Sequence, residues 1–305
     1  MNEIQNKKTS RIALKPLIVA FAVMAIWGSL YPMIKIGYST LSIDSSSIPS
    51  ILLFAGVRFA LCGVAALGIS AAKKEKILKT RGTVLRDILL VGLFSIVLHY
   101  ALTYIGMTTT DSSKTALIKQ IGTLAYICCS PFFFRDEHFS IYKLIGAVLG
   151  FAGIFAINFT GQSISFSVGD ILILLSSVCI VVSSIANKNV APKTSPYIII
   201  GISQLTGGIL LTLSALIMGG ASMEISPLGI LSFSYICIAS TVGYLLWNYV
   251  LKSGALSKLF IIKFAEPLFA CLFGALLLGE DILKLQYLFA FILISAGILL
   301  ASREK

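Results

Sequence analysis

Ten continuous runs of apolar residues, each about 20 long, constrain this chain more than any other feature. Their approximate limits are 17–38, 50–72, 86–107, 113–134, 140–159, 169–187, 196–218, 228–251, 258–278 and 284–302. The hydrocarbon core of a bilayer is about 30 Å thick, and an α-helix rising about 1.5 Å per residue crosses it in about 20 residues. The runs do not alternate with period two, which excludes a transmembrane β-barrel. Lipid cannot satisfy open backbone groups, so the spans must be helices. The connectors leave no room for a soluble domain. The predicted fold class is all-α integral membrane, with ten transmembrane helices.

Composition supports the same class. Of 305 residues, 57% are hydrophobic and 12% charged, where a soluble domain carries about 25% charged residues. A soluble enzyme, a nucleic-acid binder and a disordered chain are excluded. The net charge of +11 therefore has to be read by position. Lys7, Lys8, Arg11 and Lys15 precede the first run, and Lys73, Lys74, Lys76, Lys79, Arg81 and Arg86 follow the second. Arg135 and Lys143, Lys188 and Lys193, and Lys252 and Lys258 follow the fourth, sixth and eighth, and Arg303 and Lys305 close the chain. The opposite side carries Lys114 and Lys284. Basic residues stay on the cytoplasmic side, so both termini are expected there, in an inner or plasma membrane. The partners implied are the lipid bilayer and a small molecule, with no nucleic acid. No signal peptide is expected, because no small-residue cleavage site follows the first run. The six cysteines, Cys62, Cys128, Cys129, Cys179, Cys237 and Cys271, lie in apolar runs without metal-ligand spacing and read as reduced, buried hydrophobes.

The two halves resemble each other at an offset of 144 residues. Lys119 answers Lys263, Tyr100 answers Tyr244, and Ser113-Lys114 answers Ser257-Lys258. Ala152-Gly153-Ile154 answers Ala296-Gly297-Ile298, and Asp136-Glu137 falls opposite Glu280-Asp281. The expected organisation is a tail over 1–16, five helices over 17–159, five over 169–302 and a tail over 303–305. With five spans each, the halves must be inverted relative to one another. Inverted repeats mark secondary transporters, whose substrate site lies near the midplane between them.

Further marks are Trp27-Gly28-Ser29 with Lys35 in span 1, Arg58-Phe59 in span 2 and Gly169-Asp170 opening span 6. Span 8 carries Trp247-Asn248-Tyr249, span 9 carries Glu266-Pro267 and Leu278-Gly279-Glu280, and span 10 carries Ala296-Gly297-Ile298. In these the chain resembles the drug/metabolite transporter superfamily, in its EamA branch, over essentially its whole length. The resemblance implies a ten-helix secondary transporter. It does not select a substrate, since relatives carry amino acids, amines, nucleotide sugars and sugar phosphates. One departure is Lys119-Gln120 and Thr123 in span 4, where the family pattern has an apolar residue and a proline. A lysine in span 4 and another in span 9 is similar to the anion-binding arrangement of nucleotide-sugar and triose-phosphate carriers.

Lys119 and Lys263 are the first candidates. A charge at bilayer depth costs about 2.5–3.5 kcal/mol on the insertion scale. Either the pair clamps an anionic group, or the two snorkel or pair with Glu266. Glu266 shares a helix face with Lys263 and is either its ion-pair partner or a proton-coupling carboxylate. His99 is a second coupling candidate, or an interhelical hydrogen bonder. Trp27, Tyr31, Tyr100, Tyr126, Trp247 and Tyr249 could line a cavity or simply pack, and Asn248 and Gln204 bridge helices or touch substrate. Arg58 reads as a structural residue with a partner or, second, as a substrate contact, Lys35 as snorkelling and Pro267 as a kink or a break lining a cavity. Gly146, Gly150 and Gly153 suit close helix packing, in a homodimer or an intrachain seam. No phosphate-cradling loop, zinc spacing or nucleophilic triad occurs in the sequence, so no cofactor, metal or enzymatic activity is expected. The predicted function is a secondary transporter of a small, anionic metabolite, bearing carboxylate or phosphate. The alternatives are a proton-coupled exporter of amino acids or other metabolites and, in a different class, a non-transporting receptor or intramembrane enzyme.

Overall fold

The computed structural model describes residues 14–77, 80–106, 109, 112–134, 139–158, 167–219, 223–251, 261–279 and 285–302. Among these residues there is no β-strand, and ten helices follow in order. They are α1 (Leu14–Thr40), α2 (Ile48–Ala72), α3 (Gly82–Gly106), α4 (Ser112–Phe133), α5 (Ile141–Asn158), α6 (Val168–Val190), α7 (Pro196–Ile217), α8 (Pro227–Leu251), α9 (Glu266–Leu278) and α10 (Leu285–Ser302). The limits agree with the apolar runs to within a few residues, except that α9 starts later. Six of them, α1, α2, α3, α6, α7 and α8, are long and apolar enough to cross a bilayer, and shorter apolar stretches lie in α4, α5 and α10. His138, Lys258, Asp136-Glu137 and Glu280-Asp281 lie outside the described residues.

Local chemistry sets the ends. Helix α6 opens with a reciprocal cap. The Ser167 N–H donates to Asp170 Oδ2 at 2.6 Å, and the Asp170 N–H donates to Ser167 Oγ at 3.2 Å. That satisfies two backbone donors a helix start leaves free, and explains Gly169-Asp170 at this place. Ser47 and Ser195 cap α2 and α7 singly, each side chain accepting one backbone N–H, from Ser50 and Tyr197, and each helix has a proline in its first turn, where its missing N–H costs nothing. Helix α9 ends on Gly279, whose φ of 67° is left-handed and therefore suited to glycine.

Two helices depart from α geometry beside candidate residues. Within α3, Leu93–Leu98 forms a π-helical stretch that ends at His99. Before α9, Lys263–Ala265 forms a 3₁₀ turn, and Pro267 then falls in the first turn of α9. Proline ends one helical stretch and starts the next, so Lys263 and Glu266 sit on either side of the change in pitch.

The strongest pairings are α2 on α7 and α5 on α10. Next come α1 on α8 and α9, and α6 on α3 and α4; α2 also meets α8, and α3 meets α7. Exchanging the first five helices for the last five maps each of these pairings onto itself or another of them, whereas α4 also packs on α5 without a comparable contact between α9 and α10 among the described residues. Glycines permit the two closest approaches. A Cβ on Gly56 would stand 2.6 Å from Thr212 N, and one on Gly297 would stand 2.5 Å from Gly146 O and 3.2 Å from Gly150 N. A Cβ on Gly150 would meet the Phe264 ring, and one on Gly153 would meet Ile294 and Ala290. The glycines of α5 thus face the chain's own α10 and the turn before α9.

Polarity is inverted relative to a soluble bundle. Leu210, Leu213, Leu228, Leu231, Ile238 and Phe291 are exposed, while Arg58, His99, Ser176, Gln204, Ser240 and Asn248 are buried. Such a surface is matched to hydrocarbon rather than to water.

Candidate functional site

The site is built from five facing stretches of helix. Trp27, Tyr31 and Tyr38 recur at i, i+4 and i+11 along α1, which puts them on one stripe. Gly28 lets that stripe approach α9, because a Cβ there would stand 2.6 Å from Phe269 Cβ. Gly243 does the same toward α8, where a Cβ would stand 2.5 Å from Trp27 Nε1. These two glycines set Trp27 against both helices. Its ring lies 5.6 Å from the Trp247 ring and 5.5 Å, edge-on, from the Tyr244 ring.

Lys263 projects onto this pair. Its Nζ stands 5.5 Å from the Trp27 centroid and 5.4 Å from the Trp247 centroid. One helical turn on, Glu266 Oε1 accepts a hydrogen bond from the Tyr31 hydroxyl at 3.1 Å. Lys119 arrives from α4. Gly122, one turn further along α4, lies so close to Ser177 of α6 that a Cβ would stand 2.8 Å from its Cβ. Ser177 Oγ also lies 3.3 and 3.5 Å from the carbonyls of Ile118 and Lys119, which compete for its one proton with the Ile173 carbonyl at 3.2 Å. The Glu266 carboxylate acts electrostatically on both ammonium groups, and Lys263 acts on Lys119. The two lysines and the carboxylate are therefore close enough to feel one another's charge.

His99 closes the α3 side and is buried. Its Nδ1 lies 3.1 Å from the Ser176 carbonyl. A carbonyl only accepts, so Nδ1 carries the proton and Nε2 keeps a lone pair. Beside it the Thr103 hydroxyl donates to Ser176 Oγ at 3.0 Å. Both lysine charges reach the His99 ring.

A second cationic centre adjoins the first. The Arg58 guanidinium carbon stands 4.2 Å above the Phe59 ring and 5.6 Å from the Tyr100 ring. Tyr100 packs against Phe59, His99 and Tyr104 at 4.8, 5.1 and 5.7 Å between centroids. Tyr104 and Tyr244 complete the surround. Arg58 is 2% exposed, its Nε has no hydrogen-bond partner, and among the described residues no carboxylate reaches it. Cation–π contacts return about 2 kcal/mol when desolvated, against several kcal/mol for taking the ion out of water.

Accessibility divides the candidates. Tyr31 is 51% exposed, and Trp27, Tyr100, Lys119, Lys263 and Glu266 are partly exposed. Trp247 and Asn248 are buried behind them. Asn248 Nδ2 donates to the Tyr244 carbonyl at 3.2 Å, and its Oδ1 has no partner. Tyr126 sits apart, in the apolar core with Ile127 and Phe264. Tyr249 is exposed on α8, and Gln204 is buried in α7. The sequence reading favoured a structural role for Arg58 over substrate contact, and it did not name Tyr38. The available signal was the spacing of Trp27, Tyr31 and Tyr38 on α1 and of Tyr100 and Tyr104 on α3.

The profile of the EamA-like transporter family matches residues 14–159 and again 167–303. An uncharacterized inner membrane transporter of Escherichia coli K12, YedA, is 26% identical over 93% of this chain and 92% of its own. An uncharacterized transporter of Bacillus subtilis, YvbV, is 26% identical over 95% and 92%. A WAT1-related chloroplastic protein of Arabidopsis thaliana, At3g02690, is 26% identical over 59% and 46%. A solved crystal structure shares the fold with a TM-score of 0.78 at 17% identity, covering 94% of this chain and 96% of that one.

Proposed function

We propose, from the premise that this chain belongs to the EamA-like transporter family and is a multi-pass membrane transporter, that it moves a small anionic metabolite by alternating access. One observation carries the anionic reading. Lys119, Lys263 and Arg58 lie within the bundle beside one carboxylate among the described residues, that of Glu266. Positive charge in excess within a low-dielectric space favours a ligand bearing carboxylate or phosphate. Charge-assisted hydrogen bonds from the two ammonium groups would hold it, and the ring faces of Trp27, Tyr31 and Tyr100 would hold its apolar part.

Alternating access rests on two inverted halves, residues 17–159 and 169–302. The helix pairings that map onto one another on exchange of the halves support this, as does the twofold match to one family. Both termini face the cytoplasm in this reading, because the basic loops lie on that side. Glu266, joined to Tyr31, is the carboxylate through which a proton gradient would drive transport, with the His99 Nε2 lone pair as a second acceptor. The test is solute flux into proteoliposomes of the purified protein, across a panel of anions, zwitterions and cations. Saturable counterflow of carboxylates or phosphates is expected. Transport confined to cations would overturn the anionic reading, and silence across the panel would favour a receptor.

A further inference from the structure

We infer that Arg58 and its aromatic surround form a second anion subsite, so that the transported compound carries two anionic groups, carboxylate or phosphate, separated by an apolar spacer. This rests on the reading of the lysine cluster as an anion site. Three observations lead to it. First, Arg58 is buried among aromatic rings without a counter-ion or a hydrogen bond to Nε among the described residues. An arginine cannot shed its charge, and ring faces offset only part of the cost of burying it. A guanidinium kept in this state is suited to a planar anion that arrives with the ligand, since its fork matches two oxygens at once.

Second, the subsite is contiguous with the lysine cluster. Trp27 touches Lys263 on one side and Tyr244 on the other, and Tyr244 packs on the same cluster as Phe59, the ring beneath the Arg58 guanidinium. On the opposite wall, Tyr100 touches both His99 and the Arg58 guanidinium. One layer of rings separates the two cationic centres. Third, that layer is partly exposed: Trp27, Tyr100, Tyr104 and Tyr244 all keep accessible surface. With the Tyr100 ring turned away from Arg58, a ligand would reach both centres at once. The rings then flank the spacer while Arg58 takes one end and the lysines the other.

The experiment compares α,ω-dicarboxylates of graded length, and ω-phosphorylated carboxylates, with the monoester of each. Binding is read by thermal shift and by counterflow inhibition on the full-length protein. The best dianion should bind about 10- to 150-fold more tightly than its own monoester, the range expected for one charge-assisted contact. Arg58→Gln should bring that ratio to about one. Lys119→Met should weaken both compounds. A structural role for Arg58 would lower both affinities and leave the ratio standing, which overturns the inference. Should Arg58→Gln fail to fold, Arg58→Lys keeps the charge without the fork and should shrink the ratio, and an unchanged ratio overturns the inference. Monoanions that bind as well as dianions to the wild type remove the second subsite and leave the lysine site standing. No binding by any anion removes both.

Discussion

Tyr31 donates its hydroxyl to Glu266 Oε1 across 3.1 Å, and with this bond α1 is tied to the first turn of α9. Both ends of it are partly accessible. Tyr31→Phe removes one hydrogen bond and no packing atom, and should cost about 1 kcal/mol of stability. Thermal denaturation in detergent measures it. An unchanged midpoint would show that the bond does not hold the two helices together.

Glu266 and His99 can be separated by their effect on coupling. Flux driven by a pH gradient should vanish in Glu266→Gln or His99→Gln, while counterflow exchange survives. Loss of both fluxes together with poor expression would mark the residue as structural. A wild-type flux indifferent to the gradient would end the coupling idea for both.

Lys119→Met is the cleanest test of the anion site, since Lys263 has Glu266 three residues away, across the change in pitch. Removing the charge while keeping the stem should weaken substrate affinity about 10- to 150-fold. The variant should insert normally, because methionine enters a membrane more cheaply than lysine. Unchanged affinity and rate would sink the anion site.

Glycines of the paired helices α2 and α7 should respond oppositely to the same change. Gly68 of α2 has nothing within 4 Å of where a Cβ would go, so Gly68→Ala should stabilise by about 1 kcal/mol through helix propensity. A Cβ on Gly208 would run into Ala60 of α2, and Gly208→Ala should destabilise by about 1–3 kcal/mol through overpacking. Equal effects in unfolding measurements would mean that α2 and α7 do not meet as described.

Orientation is open to reporter fusions. A reporter active only in the cytoplasm should be active after Lys305 and in the 73–83 loop, and silent in the 160–168 loop. Activity in the last with silence at Lys305 would invert the assignment.

The helices were legible because twenty apolar residues in a row permit little else, and Gly169-Asp170 marked the opening of α6, although the Ser167 cap went unread. Faces were not legible. A span that is apolar all round carries no amphipathic stripe, so nothing in the sequence said that Arg58 looks at Tyr100 and not at an acid. Nor did it show that Tyr126 turns into the core while Tyr31 stays accessible. The π-helical stretch before His99 was equally hidden. It arises within Leu93–Leu98, ordinary apolar residues whose register is decided by the helices packed against them. Pro267 did announce a break, and the structure places it between Lys263 and Glu266.

The glycine-lined embrace of α2 and α7 has a consequence for synthesis. Ile48–Ala72 leaves the ribosome long before Pro196–Ile217 exists. At about 5–20 residues per second, α2 waits on the order of 10–30 s with Gly56 and Gly63 facing lipid instead of the backbone they are shaped to meet. Helix α5 waits in the same way for α10. The first half therefore sits in the bilayer unfinished while the second is made, and a protein halted midway would present bare glycine grooves to whatever helix passes.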